Sequence, residues 1–252
     1  MSIDIARFEQ AKVTVLTGRH DPHGFGTLQE KTLHAVMKRY YAPDTDQHEI
    51  PLEGYIADVY NASTESVIEI QNGNFGKMRD KLKAFLPLYD VTVVYPIPEK
   101  RQLYWVDDKT GAVTKGGMSK RKDSFYTVVP ELYQIRQYIA DAHFHLRIPV
   151  LSMDEYRLLN GWSKDRKRGS VRYDRVPREF VSEYVLDRIE DYVQFIPMEL
   201  EEEFVSSEFA KCTKTDAQTA SYVLRFFYEI GILERIGKRG RSYLYHISEQ
   251  YR

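Results

Sequence analysis

The stretch from Gly54 to Gln71 constrains this chain more than any other. Two short apolar runs flank a polar segment, Asn61 to Ser66, with one carboxylate, Asp58, inside Ile56 to Tyr60 and Glu69-Ile70-Gln71 closing the second run. Side chains i and i+2 of a strand share a face, so Glu69 and Gln71 project together while Ile68 and Ile70 point the other way, into a core. If residues 61–66 make the turn, Asp58 lies across the hairpin from that pair. Hard oxygen ligands on a rigid sheet suit Mg²⁺ or Mn²⁺, with Asp58 and Glu69 as the expected ligands, and such an ion activates water and stabilises a pentavalent phosphate. The bland alternative is that the carboxylates simply line the solvated face of a half-exposed sheet, since Glu-Ile-Gln also arises by chance.

At 252 residues, with 42% hydrophobic and 29% charged side chains, the chain is long enough for one large domain or two ordinary ones, and its composition argues against wholesale disorder. Its single cysteine, Cys212, offers neither an internal disulfide nor a structural zinc site. No apolar run reaches the roughly 18 residues of a membrane span, and Asp4, Arg7 and Glu9 stand where a signal peptide needs an apolar stretch, so a cytoplasmic protein without membrane partners is expected. The net charge of −1 does not by itself favour nucleic acid, but basic residues cluster locally: Lys164, Arg166, Lys167, Arg168, Arg172 and Arg175; Lys115, Lys120, Arg121 and Lys122; Lys238, Arg239 and Arg241. Each cluster alone reads as a solvated surface, while three together favour phosphate contact.

Around the hairpin the periodicity predicts an order of elements. Residues Thr27 to Tyr41 have a helical pattern, and Thr27 with Glu30 forms a capping-box pair. Glu30 therefore either completes that cap or leans toward the sheet carboxylates. A turn at Asn72-Gly73-Asn74 precedes a helix from Phe75 to about Leu86, with Phe75, Met78, Leu82 and Phe85 on one face and Lys77 and Lys81 on another. Val91 to Tyr95 reads as a buried parallel strand, reached by a βαβ crossover, and Gln102 to Val106 as a further strand.

This array resembles the PD-(D/E)xK, or restriction-endonuclease-like, nuclease superfamily, whose core is a helix, a three-stranded meander and a crossover helix. The resemblance covers roughly residues 20 to 107 and rests on Asp58, Glu69 and Gln71 at the positions of the family's acidic residue and E-x-K or E-x-Q pair, with Glu30 matching an upstream helical glutamate. It implies a mixed α/β sheet with flanking helices and a metal-dependent centre. The sequence departs from the commonest pattern at Gln71, where most members have lysine. An amide can orient water but cannot act as a base or supply charge, and Lys77 is the candidate for a lysine moved to the following helix, its alternative being an exposed helix lysine.

In the C-terminal half, residues 146–177 read as a basic, loop-rich connector because Asn160-Gly161-Trp162 and Arg168-Gly169-Ser170 interrupt the periodicity, and Val181 to Phe195 reads as an amphipathic helix. A strand-like piece, Glu203 to Val205, leads to a helix over Ser207 to Lys211. Thr215 with Gln218 suggests the cap of a further helix carrying Ala217, Ala220, Leu224 and Phe227, with Gly231 as its stop. Two strands joined by Gly237-Lys238-Arg239-Gly240-Arg241 follow. Three helices and a basic hairpin over residues 178–252 resemble an α+β winged helix-turn-helix domain, which implies DNA contacts by Gln218, Thr219, Tyr222 and Arg225 on the third helix and by Lys238, Arg239 and Arg241 on the wing. The same fold also serves protein contacts or dimerisation.

The strings Ile68 to Gln71, Leu33-His34-Ala35 and Gly237 to Arg241 further resemble a group of bacterial proteins that join the two domain types. The expectation is thus a nuclease domain over residues 1–145, a connector supplying Arg166, Lys167 and Arg168, and a winged helix that targets DNA, with a homodimer as one option for its assembly. A degenerate, non-catalytic DNA-binding or regulatory protein is the alternative, and a protein-interaction module is a third. The pairs His20/His23 and His143/His145 have metal-like spacing but no further ligand nearby, and no P-loop or dinucleotide-binding glycine pattern is present.

Overall fold

Apolar alternation in the first half of the chain builds a meander flanked by helices. In the computed structural model, which describes residues 3–18, 31–120, 123–159 and 171–252, helices α1 (Ile5–Thr17) and α2 (Thr32–Tyr41) precede strands β1 (His48–Leu52), β2 (Tyr55–Asn61) and β3 (Ser66–Ile70). A 3-10 turn, Phe75–Met78, and helix α3 (Arg79–Phe85) cross to β4 (Asp90–Val94), which pairs with β3 in parallel. Then come β5 (Ile97–Val106), β6 (Val113–Met118), α4 (Phe125–Leu132), a 3-10 segment Tyr133–Tyr138, and the long strands β7 (Phe144–Leu158) and β8 (Val171–Leu186). A 3-10 segment Ile189–Phe195, helices α5 (Ser206–Thr213) and α6 (Ala217–Glu229), and the hairpin β9 (Leu233–Arg239) and β10 (Ser242–Ile247) complete the described chain.

The result is a mixed α/β fold with an eight-stranded sheet and a separate two-stranded hairpin. β7 organises the sheet. Its first part pairs in parallel with β4, Val91 facing Phe144, and its later part in parallel with β5, Ile97 facing Val150. β8 covers its other edge antiparallel. Successive side chains alternate between two cores, as in Val93 and Val94. Val67, Val93, Leu82 and Phe85 join one core with α3 and α4. Ile70, Val94, Leu33, Val36 and Met37 join the other beneath α1 and α2. No helix among the described residues is long and apolar enough to cross a membrane.

The expected hairpin is present, with Asn61 facing Ser66, and so is the crossover from Glu69's strand. The meander gains β1, which the sequence reading missed. Other expectations fail. Much of the stretch read as a connector, residues 146–177, is sheet: β7 and β8 pair from Leu146/Leu186 to Leu158/Val171. The glycine-containing interruptions that suggested a loop lie at 160–170, outside the described residues. Residues Val181 to Leu186 belong to β8 rather than to a helix, and only Ile189–Phe195 turns, as 3-10. Long cross-strand pairing with β7 overrides a local spacing that fits either period. The boundary expected at 177/178 therefore falls inside a strand. The helix expected from Phe75 begins as 3-10 and becomes α-helical at Arg79. At α6 the cap is Asp216, whose side chain accepts from the Thr219 N–H, and not Thr215.

Candidate metal centre and nucleic-acid face

β1 pairs with β2 so that His48 faces Val59 and Ile50 faces Ala57, which puts Glu49 directly opposite Asp58. The β2–β3 register, Val59 facing Ile68, continued by one residue puts Asp58 opposite Glu69. Three carboxylates thus form a row across three adjacent strands, although like charges directly opposite one another are destabilising. Here the β2–β3 ladder opens, and the side chains replace its hydrogen bonds. The Ile70 N–H donates to Asp58 Oδ2 at 2.7 Å and the Asp58 N–H to Glu69 Oε1 at 3.4 Å. Glu49 adopts a left-handed backbone, φ 54°, a conformation that is costly for a residue with a Cβ and that concentrates at functional sites.

Helices on the two faces of the sheet supply the positive partners. From α2, His34 Nε2 lies 3.4 Å from Asp58 Oδ1, and Lys38 pairs with Glu49. From α3, Lys81 Nζ donates to Glu69 Oε2 and to the Ile56 carbonyl, each at 2.6 Å. Glu69 is only 1% exposed. Burial, reinforced by the charge of Asp58, pushes its pKa well above the ordinary carboxylate range despite Lys81. Burial also tends to raise Asp58, but the His34 hydrogen bond and charge, the Ile70 N–H and Lys81 outweigh it and hold that carboxyl below its usual value. The two carboxylates are driven apart in proton affinity, a pattern that clusters at functional sites. One ligand atom each from His34, Glu49 and Asp58 lie within 4.8 Å of one another.

Of the residues singled out in sequence, Asp58 and Glu69 are brought together as expected. Gln71 is half-buried just beyond β3, its N–H donating to the Val94 carbonyl at 2.8 Å. Lys77 is exposed on the 3-10 turn, and the lysine at Glu69 is Lys81, one helical turn on. Glu30 lies outside the described residues. His34, Glu49 and Lys38 were missed: the α2 pattern marks His34 and Lys38 as one turn apart, but only the tertiary contact joins that turn to the carboxylate row. His143 and His145 belong to no cluster of metal-ligating side chains among the described residues. They pair with separate carboxylates, Asp90 at 2.7 Å and Asp187 at 3.0 Å. His20 and His23 lie outside the described residues.

On the expected DNA face Gln218, Arg225, Lys238, Arg239 and Arg241 are exposed and Thr219 and Tyr222 half-buried, and several of them make contacts within the protein. Thr219 is hydrogen-bonded to Asp216 by its N–H at 2.9 Å and its hydroxyl at 2.7 Å. Tyr222 packs on Tyr133, with ring centroids 5.1 Å apart. Arg225 pairs with Glu229 at 3.0 Å and covers the Tyr133 ring. Glu229 also accepts from Tyr133 Oη at 2.7 Å and Arg136 Nε at 2.6 Å. These hydrogen bonds, those of Tyr133 and Arg225 foremost, hold its carboxyl down to about 2. The polar face of α6 is therefore docked on the segment after α4. Gln218 remains exposed. On the hairpin, Arg239 is taken up by Glu208 at 2.9 Å, Lys238 lies over Tyr243, and Arg241 is exposed. Arg166, Lys167 and Arg168 lie outside the described residues.

The family described as Domain of unknown function (DUF8091) matches residues 31–187, a span that holds the whole carboxylate row and its partners and ends before α5. An uncharacterized protein of Treponema pallidum (strain Nichols) is 27% identical over 225 residues, which cover 87% of this chain and 86% of that protein. No solved structure matches.

Proposed function

We propose that this chain, which belongs to the DUF8091 family, is a metal-dependent phosphodiesterase acting on DNA. The observation that carries this reading is the row Glu49, Asp58 and Glu69 across β1, β2 and β3, with His34 aimed at its centre. A helix, a three-stranded meander and a crossover helix leading to a parallel strand is also the order of the restriction-endonuclease-like core, and α5, α6 and the β9–β10 hairpin follow the latter part of the winged-helix order, whose first helix is replaced here by the end of β8 and a 3-10 segment.

The donor set fits a divalent cation. Carboxylate oxygens suit Mg²⁺ or Mn²⁺, and the added imidazole favours Mn²⁺. His34, Glu49 and Asp58 would hold the ion and Glu69 would border it. When bound, the ion supplies Lewis acidity and lowers the pKa of a water. The chain's own residues do the remaining work. Asp58 stays ionised at neutral pH because of His34 and the Ile70 N–H. Lys81 holds Glu69 Oε2 and offers positive charge toward a scissile phosphate, in the role first expected of Lys77, while the amide of Gln71 orients water.

A specific observation favours a second reading, a non-catalytic DNA-binding or regulatory protein: each carboxylate already has a nitrogen partner from a helix, Glu49 with Lys38, Asp58 with His34 and Glu69 with Lys81. Mn²⁺ titration by calorimetry, with and without Asp58→Asn, separates the two. The phosphodiesterase reading expects saturable binding that Asp58→Asn weakens by about tenfold or more, together with loss of Mn²⁺-dependent DNA cleavage. Cleavage unchanged by Asp58→Asn would remove this centre from the reaction.

A further inference from the structure

The arginines of β5 and β8 line a cavity that the carboxylate centre does not use. At Tyr95-Pro96 the chain breaks between β4 and β5, which run consecutively along β7. This break and Asn72, just past the end of β3, wall a polar cavity of about 200 Å³ together with Arg101, Asp123, Thr127, Arg172 and Arg175. A second hollow of about 150 Å³ shares Asn72, Arg172 and Arg175 and adds Lys31 and Asp174. The position, beyond the carboxyl ends of parallel strands, is where open α/β sheets bind ligands.

Among the described residues the charges of this region do not balance. Register puts Arg172 opposite Arg157 and Arg175 opposite Glu155 across β7 and β8. Buried Glu155 is shared by Arg157 at 2.6 Å, Arg175 at 3.1 Å and Arg101 at 3.8 Å, and Asp123 lies 3.3 Å from Arg101. Asp174 accepts from Thr32 and from the Arg175 N–H, and Lys31 donates to the Tyr173 carbonyl. Among the described residues three guanidiniums, Arg157, Arg172 and Arg175, thus gather about the one carboxylate of Glu155; Arg172 and Arg175 line both hollows, with Arg101 and Asp123 in the first and Lys31 and Asp174 in the second. A like-charged cross-strand pair is unfavourable unless an anion joins it.

We infer that this cavity binds a phosphomonoester, the terminal phosphate of a nucleic-acid strand. A dianion matches the two unbalanced positive charges, and planar guanidiniums are the side chains that grip phosphate oxygens in pairs. Asn72 is three residues beyond Glu69, a reach of at most about 10 Å along an extended chain, so a strand end held here lies within a few nucleotides of the carboxylate row. The inference deepens the proposed phosphodiesterase, and it assigns that enzyme a preference for phosphorylated ends.

The test is binding by fluorescence anisotropy in EDTA, so that the metal centre plays no part. One single-stranded oligonucleotide is compared with a 5′-phosphate, with a 3′-phosphate and with hydroxyl ends, using the full chain, Arg172→Gln and Arg241→Gln. Arg172 is exposed and is not among the ion-pair partners of Glu155, so its removal leaves the fold intact. One phosphorylated end should bind about tenfold tighter than the hydroxyl end. Arg172→Gln should abolish that preference, and Arg241→Gln should keep it. Equal affinity for all ends, or a preference that survives Arg172→Gln, overturns the site. A nucleoside monophosphate that binds as tightly as the oligonucleotide overturns the assignment to a strand end. Failure of the phosphodiesterase reading would appear separately, as absent Mn²⁺ binding with end preference retained.

Discussion

Glu69 and Lys81 form the most consequential single contact in the molecule. The glutamate is 1% exposed and the lysine side chain 16%, so the pair sits largely out of water, where removal of one partner is far costlier than loss of a surface ion pair. Lys81→Met should lower stability by about 3 kcal/mol at neutral pH, and the double variant Glu69→Gln/Lys81→Met should recover most of it. The sign of the pH dependence follows from the raised pKa of Glu69. A carboxyl whose folded-state pKa is raised costs stability above that value and costs none below its unfolded value, where both states hold the proton. The Lys81→Met defect should therefore shrink as the solution is acidified. Urea denaturation across pH checks this, and losses that simply add in the double variant would show that the two side chains are not coupled.

At the scale of elements, α6 is held by a latch. Tyr133, Arg136 and Arg225 converge on Glu229; the spacing of Arg225 and Glu229 on α6 predicts their pairing, but nothing in the sequence joins that pair to Tyr133 and Arg136. The Glu229 carboxyl is depressed to about 2, so its contribution is fully present above its ordinary pKa near 4.5 and is lost as pH falls through about 2. The group is largely exposed, which limits that contribution to about 1 kcal/mol. Glu229→Gln should lower the urea midpoint at pH 6, and its difference from the unmodified chain should vanish as pH approaches 2. A difference that does not change with pH would mean that the latch does not depend on the charge. The same latch matters for recognition: Tyr222 packs on the Tyr133 ring and is half-buried, whereas Arg225 and Arg241 are exposed.

At the scale of the whole molecule, one of the two cores runs across the junction expected between two domains. Phe125 of α4 stacks on Phe195 at 3.5 Å and on Phe227 of α6 at 6.3 Å, and Val91 and Val93 of β4 belong to the same cluster as Phe209 and Leu233. Phe227→Ala should destabilise by about 3–5 kcal/mol. Because the core is continuous, hydrogen exchange should report that loss equally in α6 and in β4. Protection lost in α6 but kept in β4 would establish two independently folding units.

What the sequence determined by itself was local and periodic. The β2–β3 hairpin, the α3 crossover, the opposition of Asp58 to Glu69 and the α5–α6–hairpin order were legible because alternation, turn residues and helical spacing act over a few positions. The tertiary structure alone decided which distant elements met. It made β7 a central strand and β8 its antiparallel partner although turn signals in between suggested a loop, since a pairing of more than a dozen residues outweighs local preference. It chose Lys81 over Lys77, whose spacing on the sequence is equivalent. It brought His34 and Glu49 to the row, and it docked α6 on the segment after α4. Register between strands and the packing of helices on a sheet are set by shared burial across the chain, which no window of neighbouring residues contains.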